Sequence, residues 1–216
     1  MSIKEKYMVM SIKKSETKEW LLCKHYAHRI PSISYSFGLY NISCTLLGVC
    51  TFGKPASYTL CENLIGKDNK ELVYELNRLV VNDGLDKNTL SYFVGSALKQ
   101  LPTPLAVVSY ADKNQNHHGY IYQATNWIYT GLSSIEKIYY MDSGEIIKTR
   151  RHIDKKGKIV KTEKQLPKYR YVYFLGSKKQ RAEMLHDLKY SILPYPKGDN
   201  TRYDASYEPS TQGLLL

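Results

Sequence analysis

The chain has 216 residues, with 31 basic and 20 acidic side chains and a net charge of +11. That length suits one domain, or one domain with an appendage, and its 43% hydrophobic content excludes a largely disordered chain. No run approaches the ~18 apolar residues of a membrane span, and the start, MSIKEKYMVMSIKKSE, lacks the apolar stretch of a secretory signal, so a cytoplasmic protein without a membrane partner is expected.

In chain order, YMVMSI reads as a first strand and residues 15–27 as a short helix, stopped at Pro31. SYSFGLYNI alternates and LLGVCTFG follows after a short turn, which predicts a hairpin. Residues 54–70, with Pro55, Gly66 and Asp68, read as a loop, and ELVYELNRLVV as a strand. Asn82-Asp83-Gly84 gives a turn, and Asn88 stands where a helix cap is expected. Leu90, Phe93, Val94, Ala97, Leu98 and Leu101 then fall on one helical face, ended by Pro102 and Pro104.

PLAVVSYAD is a buried strand ending on an acid, HHGYIYQATNW a second helix, and WIYTGLS another strand. Residues 138–174 read as one extended basic β-hairpin turning at Lys155-Lys156-Gly157. Residues 177–192 suit a basic helix, and the tail from Pro194 onward is rich in flexible-loop residues. This order predicts a mixed α/β domain over residues 1–176, with a helix and tail over 177–216. Ligands in such sheets bind beyond the carboxyl ends of diverging strands. The end of LAVVSYAD is therefore the place for a site.

The charge is concentrated. Lys148 to Arg181 carries thirteen basic and two acidic residues, which is the whole net charge. Lys148, Arg150, Arg151, Lys155, Lys156, Lys158, Lys168 and Arg170 lie in it, interleaved with tyrosines. Such a block suits nucleic-acid phosphates; a solvated, solubilising hairpin is the bland alternative. Cys23, Cys44, Cys50 and Cys61 include no C-x-x-C pair, so reduced thiols are expected. Tyrosine occurs 20 times and phenylalanine 4 times. The excess suits either wet interfaces or a tyrosine-heavy core.

Three clusters carry candidate chemistry. In KHYAHR, His25 and Tyr26 suit proton relay or metal ligation. In SYAD, Asp112 suits a base, a metal ligand or a helix cap, with Tyr122 on the next helix as a proton donor. Glu75, Asn77 and Arg78 interrupt a buried strand and need partners. P-loop, Rossmann, H-E-x-x-H and G-x-S-x-G patterns are absent, as is the D/N-P-P-Y/F tetrad of DNA adenine methyltransferases.

The layout resembles GNAT-type acyltransferases, whose core runs strand, two helices, three strands, helix, strand, helix, strand, strand. More specifically, KHYAHRIPS, FGLYN, LLGVCTFGKPAS, ELNRLVV, NTLSYFVGSALK and SYADKNQNHHGYIYQATNWIYTG resemble the Mom family of phage DNA-modification proteins over about residues 5–176. That family converts adenine in double-stranded DNA to N6-carbamoylmethyladenine and so blocks restriction. The resemblance implies catalytic roles for His25, Tyr26, Asp112, Tyr122 and Ser96, with Ser91 as the other serine that its motif offers. It implies an iron requirement through His25, Tyr26 and Asp112. It also implies an acetyl-coenzyme A, other acyl or glycyl donor near Leu79, Val81, Asn88, Ser91 and Asn116, and DNA contacts that include Arg29. The alternatives are a coenzyme A-dependent N-acyltransferase on a small amine or protein, and a non-enzymatic DNA-binding protein. The NDGLDKNTLS loop departs from the Gly-rich pyrophosphate loop of GNAT proteins, with one glycine and two aspartates.

Overall fold

The computed structural model describes residues 2–147 and 157–198. Its strands are β1 (Tyr7–Ser11), β2 (Tyr35–Asn41), β3 (Leu46–Gly53), β4 (Val73–Val81), β5 (Leu105–Ala111), β6 (Ile128–Leu132), β7 (Lys137–Met141), β8 (Ile146–Ile147), β9 (Ile159–Lys164) and β10 (Tyr169–Leu175). The helices are α1 (Ile3–Lys6), α2 (Tyr58–Ile65), α3 (Thr89–Lys99), α4 (Tyr120–Ala124) and α5 (Lys178–Asp187). Seven strands form one mixed sheet in the order β1-β2-β3-β4-β5-β10-β6, and three form a small sheet, β8-β7-β9. Among the described residues only β4 and β5 pair in parallel; every other ladder is antiparallel.

Alternation along the strands sends side chains to two cores. On one face, Phe93, Val94, Ala97 and Leu98 of α3 pack on Phe37, Leu39, Leu76, Val107 and Tyr171. On the other, Leu60, Leu64 and Ile65 of α2 and Met184 of α5 cover Ala106, Val108 and Val172. β5 is thus covered on both faces, which explains its unbroken apolar run.

Several expectations need correction. The 54–70 loop contains α2. Pro55 and Gly66 lie just outside it, and Ser57 accepts the Leu60 N–H as its cap. The helix over 15–27 is a 3-10 turn, Lys14–Thr17, followed by a π-turn, Trp20–Lys24. His25 is already extended, so His25 and His28 do not share a helix face. Asn88 adopts a left-handed backbone and makes no side-chain cap.

The 138–174 segment is not one hairpin. β7 and β9 form the small sheet, while β10 returns to the main sheet between β5 and β6, because Tyr171, Val172 and Phe174 are core residues. Lys148, Arg150, Arg151, Lys155 and Lys156 lie outside the described residues. Pro194–Gly198, expected to be part of a loose tail, is mostly exposed but tethered by hydrogen bonds. The Leu193 N–H bonds the Tyr129 carbonyl, the Tyr195 hydroxyl donates to the Trp127 carbonyl at 2.6 Å, and Gln123 donates to Pro196 O.

Gly119 opens α4 with φ +83°. A Cβ there would lie 2.3 Å from the Tyr171 ring. Gly119→Ala therefore combines backbone strain with overpacking, and urea unfolding should show a loss of about 2–4 kcal/mol. Unchanged stability would mean that the ring gives way freely.

Candidate active site

The parallel pairing of β4 with β5 runs only from Val73–Ala106 to Glu75–Val108. Beyond it β4 bulges at Asn77, between the Leu76–Phe52 and Arg78–Thr51 pairs. The bulge is fixed by side chains: Asn77 accepts from Thr51 Oγ1 at 2.6 Å and donates to Ser32 O at 2.8 Å. A bulge bends its strand and re-aims its side chains. The two strands separate, and a cleft of about 520 Å3 opens between their carboxyl ends. It extends from His25, Tyr26, Arg29, Glu75 and Arg78 past Ser109, His117 and Tyr122 to the β4–α3 loop.

The polar groups are held without much freedom. Ser109 Oγ lies 2.7 Å from both the Leu76 carbonyl and the Tyr122 hydroxyl. One serine proton serves two acceptors, so when it goes to Leu76 the Tyr122 hydroxyl donates to Ser109. When Tyr122 donates elsewhere, Ser109 can turn to support it. The rings of His25 and Tyr26 stack at 4.4 Å, and Tyr26 meets His117 edge-on at 6.4 Å.

Burial sets the protonation states. It lowers His25 to about 3, with Arg78 adding to the effect, so this imidazole is neutral near pH 7. Its Nδ1 accepts the Ala27 N–H at 3.0 Å, which leaves the proton on Nε2, a donor. Burial, then the Asp112 charge, raises Tyr26 to about 12. Burial raises Tyr122 as well, against the pull of Ser109. Burial lifts Glu75 to about 6, against the cationic pull of Arg78 and Lys168. The cleft therefore holds neutral hydroxyl donors and one carboxylate poised to accept a proton near neutral pH.

The sequence-derived candidates separate accordingly. His25, Tyr26, Tyr122, Leu79, Val81, Asn88, Ser91, Arg29 and Lys168 line the cleft. Ser96 lies on α3 away from it, with its carbonyl accepting from Gln100; Ser91 takes its place at the wall. Asn116 is an exposed left-handed residue outside it. The Asp112 carboxylate caps the turn after β5, accepting from Asn114 N–H at 2.9 Å and Asn114 Nδ2 at 3.0 Å, with Lys168 Nζ 3.7 Å away. Arg170, expected to face phosphate, is buried. It donates to Thr130 Oγ1 and Thr130 O, and stacks on Tyr190 at 3.5 Å. Lys158 and Lys164 are exposed beside and on β9.

Glu75 and Arg78 are the site residues whose roles sequence left open. Their signal was two charges inside a strand that otherwise reads as buried. Among the described residues, no group of three or more His, Cys, Asp and Glu side chains could hold a metal ion. With His25 Nδ1 and the Asp112 carboxylate already engaged, the three expected iron ligands form no ready cage.

The Mom protein family model matches residues 6–197. The chain belongs to the Mom protein family. It is 26% identical over 190 residues to the methylcarbamoylase Mom of Escherichia phage Mu, covering 81% of this chain and 77% of that protein. Among solved structures, an N-acetyltransferase from Staphylococcus aureus Mu50 aligns at 13% identity and TM-score 0.46, covering 79% of this chain and 99% of the other. A spermidine N-acetyltransferase from Vibrio cholerae, solved with CoA and spermine, aligns at 9% identity and TM-score 0.46, covering 82% and 98%. This Mom-family chain runs strand, helical turns, two strands, helix, strand, helix, strand, helix, strand, which is the order expected of a GNAT-like core with one added helix, α2, between its second and third successive strands. Among the described residues no helix is long and apolar enough to cross a membrane.

Glu75 gives the cleft a pH signature. Its folded pKa is raised, so the folded state binds more protons than the unfolded chain between about pH 4.5 and 6. Stability from this group is present below about 4.5 and falls as pH rises through about 6. Melting curves from pH 4 to 8 should show Glu75→Gln gaining on the native protein as pH rises through this window, with little difference at pH 4. Parallel curves would place Glu75 in contact with water.

Proposed function

We propose that the protein is a transferase that modifies adenine N6 in double-stranded DNA, giving N6-carbamoylmethyladenine and protecting the DNA from restriction. The family match over residues 6–197 carries this reading. The cleft supports it, since its volume lies within the usual range for ligand sites of about 300–1,000 Å3. An adenine reaches it only when flipped from the duplex. Glu75 takes the N6 proton as the N–C bond forms. The Tyr122 hydroxyl protonates the departing group of the donor, and Ser109 steadies the oxygen left behind. His25 Nε2 and Tyr26 orient the base or the transferred amide by hydrogen bonding.

Neither implied cofactor enters these steps. At the α3 end of the cleft, Asp83 and Asp86 stand on the wall. Each is ion-paired, Asp83 with Lys24 and Asp86 with Lys6, and Lys87 lines the same wall, so these carboxylates present no net negative charge to the pyrophosphate of coenzyme A. For iron, His25 Nδ1 and Asp112 Oδ1 already accept hydrogen bonds, from Ala27 N–H and from Asn114.

Mass spectrometry of nucleosides from plasmid grown with the protein tests the reading directly. Carbamoylmethyladenine is expected. Unmodified plasmid together with tight DNA binding would favour the non-enzymatic alternative. Tyr122→Phe should cut the modification by ~10²-fold or more. Its loss of a buried hydrogen bond should cost only about 0.5–1.5 kcal/mol. Full modification by the variant would remove Tyr122 from the proton path.

The small sheet supplies the proposed docking surface for phosphates. Lys137, Lys158 and Lys164 are exposed there. Changing all three to Ala should make the slope of log K against log salt shallower by at most roughly 2–3 units. Binding should weaken alike on all sequences, since phosphate contacts position without specifying. An unchanged slope would reject this surface.

A further inference from the structure

Arg78 follows the bulge on β4 and is only 8% exposed. Its Nη1 donates to the Asn77 carbonyl. Its Nε and Nη2 meet no acceptor among the described residues. Those two N–H groups share one edge of the planar guanidinium, so the unspent donors form a parallel fork. Buried donors rarely lack acceptors, and Glu75, whose charge attracts Arg78, accepts no hydrogen bond from this edge. Arg29 lines the same cleft and adds a second positive charge that repels the first. Among the described residues, the donors are in place and their acceptor is not.

The shape of the fork limits what fits. It needs two adjacent acceptor atoms. Adenine sets its N7 acceptor beside the N6 amino donor, so the target base does not match. Carboxylate and phosphate groups do. We infer that the Nε–Nη2 edge of Arg78 is an oxyanion subsite of the cleft, taking a carboxylate or phosphate in a bidentate pair. The inference rests on the proposed reading only for which molecule carries the oxyanion. Arg78 is buried where Arg29 is exposed, so the depth favours an anionic donor over a backbone phosphate of the DNA.

Binding of sodium acetate and of inorganic phosphate to the purified full-length protein tests this, by titration calorimetry and melting temperature at constant ionic strength, with chloride as control. The native protein should bind at least one of the two saturably. Arg78→Lys keeps the charge and loses the fork, and Arg78→Gln loses both. Each should bind about tenfold more weakly or worse. Arg78→Gln removes the two unspent donors together with the charge that attracts Glu75. Should it fail to fold, Arg78→Lys carries the test. No saturable binding by the native protein, or native-like binding by Arg78→Lys, overturns the subsite. DNA titrations then separate the sources. An unchanged salt slope in Arg78→Gln, which removes the charge, supports an oxyanion on the donor. A slope shallower by about one unit supports the subsite with a DNA phosphate in it. None of these measurements needs turnover, so they succeed or fail independently of the modification assay.

Discussion

The short parallel ladder between β4 and β5 governs the rest of the molecule. Both strands are anchored at their amino ends by packing against α2 and α5. Past Glu75 and Val108 they no longer share a register, and their backbone groups need other partners. Ser109 Oγ meets the Leu76 carbonyl at that point, and Asn77 secures the bulge to Thr51 and Ser32. A parallel pair that continued would have buried Glu75 and Arg78 in a sheet without acceptors. The split gives both a cleft instead, and it places Tyr122 within reach of Ser109.

That arrangement has an electrostatic consequence. The cleft holds charged groups where water is scarce, and their pKa values move apart. Glu75 rises and His25 falls, both chiefly by burial. A carboxylate close to its midpoint can accept a proton from a weak nucleophile without being swamped by solvent. The same desolvation leaves Tyr26 and Tyr122 as neutral donors. Acid and base functions are thus divided among side chains by their surroundings.

Most of the architecture was legible in the sequence because it follows from periodicity and punctuation. The α3 face, the buried β5 run and the β2–β3 hairpin are of this kind. The failures have physical causes. The α2 segment was hidden by the turn residues on its flanks. The β10 strand was absorbed into a basic hairpin because Lys168 and Arg170 flank its core tyrosines, and only its pairing with β5 and β6 separates it. Asp112, after an apolar strand, reads as a base, a metal ligand or a helix cap, and the structure shows the cap. A strand-end acid and a turn cap have the same sequence signature, and the bonds from Asn114 engage only Oδ1 of Asp112. Glu75 and Arg78 stood out as misfits, but sequence could not say which way β4 turns them, because the bulge changes the alternation.

The tyrosine excess has a structural explanation that bears on the site. Tyr92 donates to Tyr7 O at 3.0 Å, Tyr195 to Trp127 O, and Tyr171 to His118 O. Tyr171 fills a core position, Tyr92 is half-buried and Tyr195 is exposed, but each hydroxyl fastens a distant backbone carbonyl, which phenylalanine cannot do. Around α4 these fastenings converge. Tyr171 packs against Gly119 and bonds His118, Gln123 bonds Tyr171 and Pro196, and Tyr122 stacks on Trp127 and Tyr171. A helix of five residues has little stability of its own. It is held by its neighbours, and they fix the Tyr122 hydroxyl at Ser109. The aromatic cluster is thus the rigid mount of the proposed proton donor, and the tethered segment after α5 belongs to the site even though none of it lines the cleft.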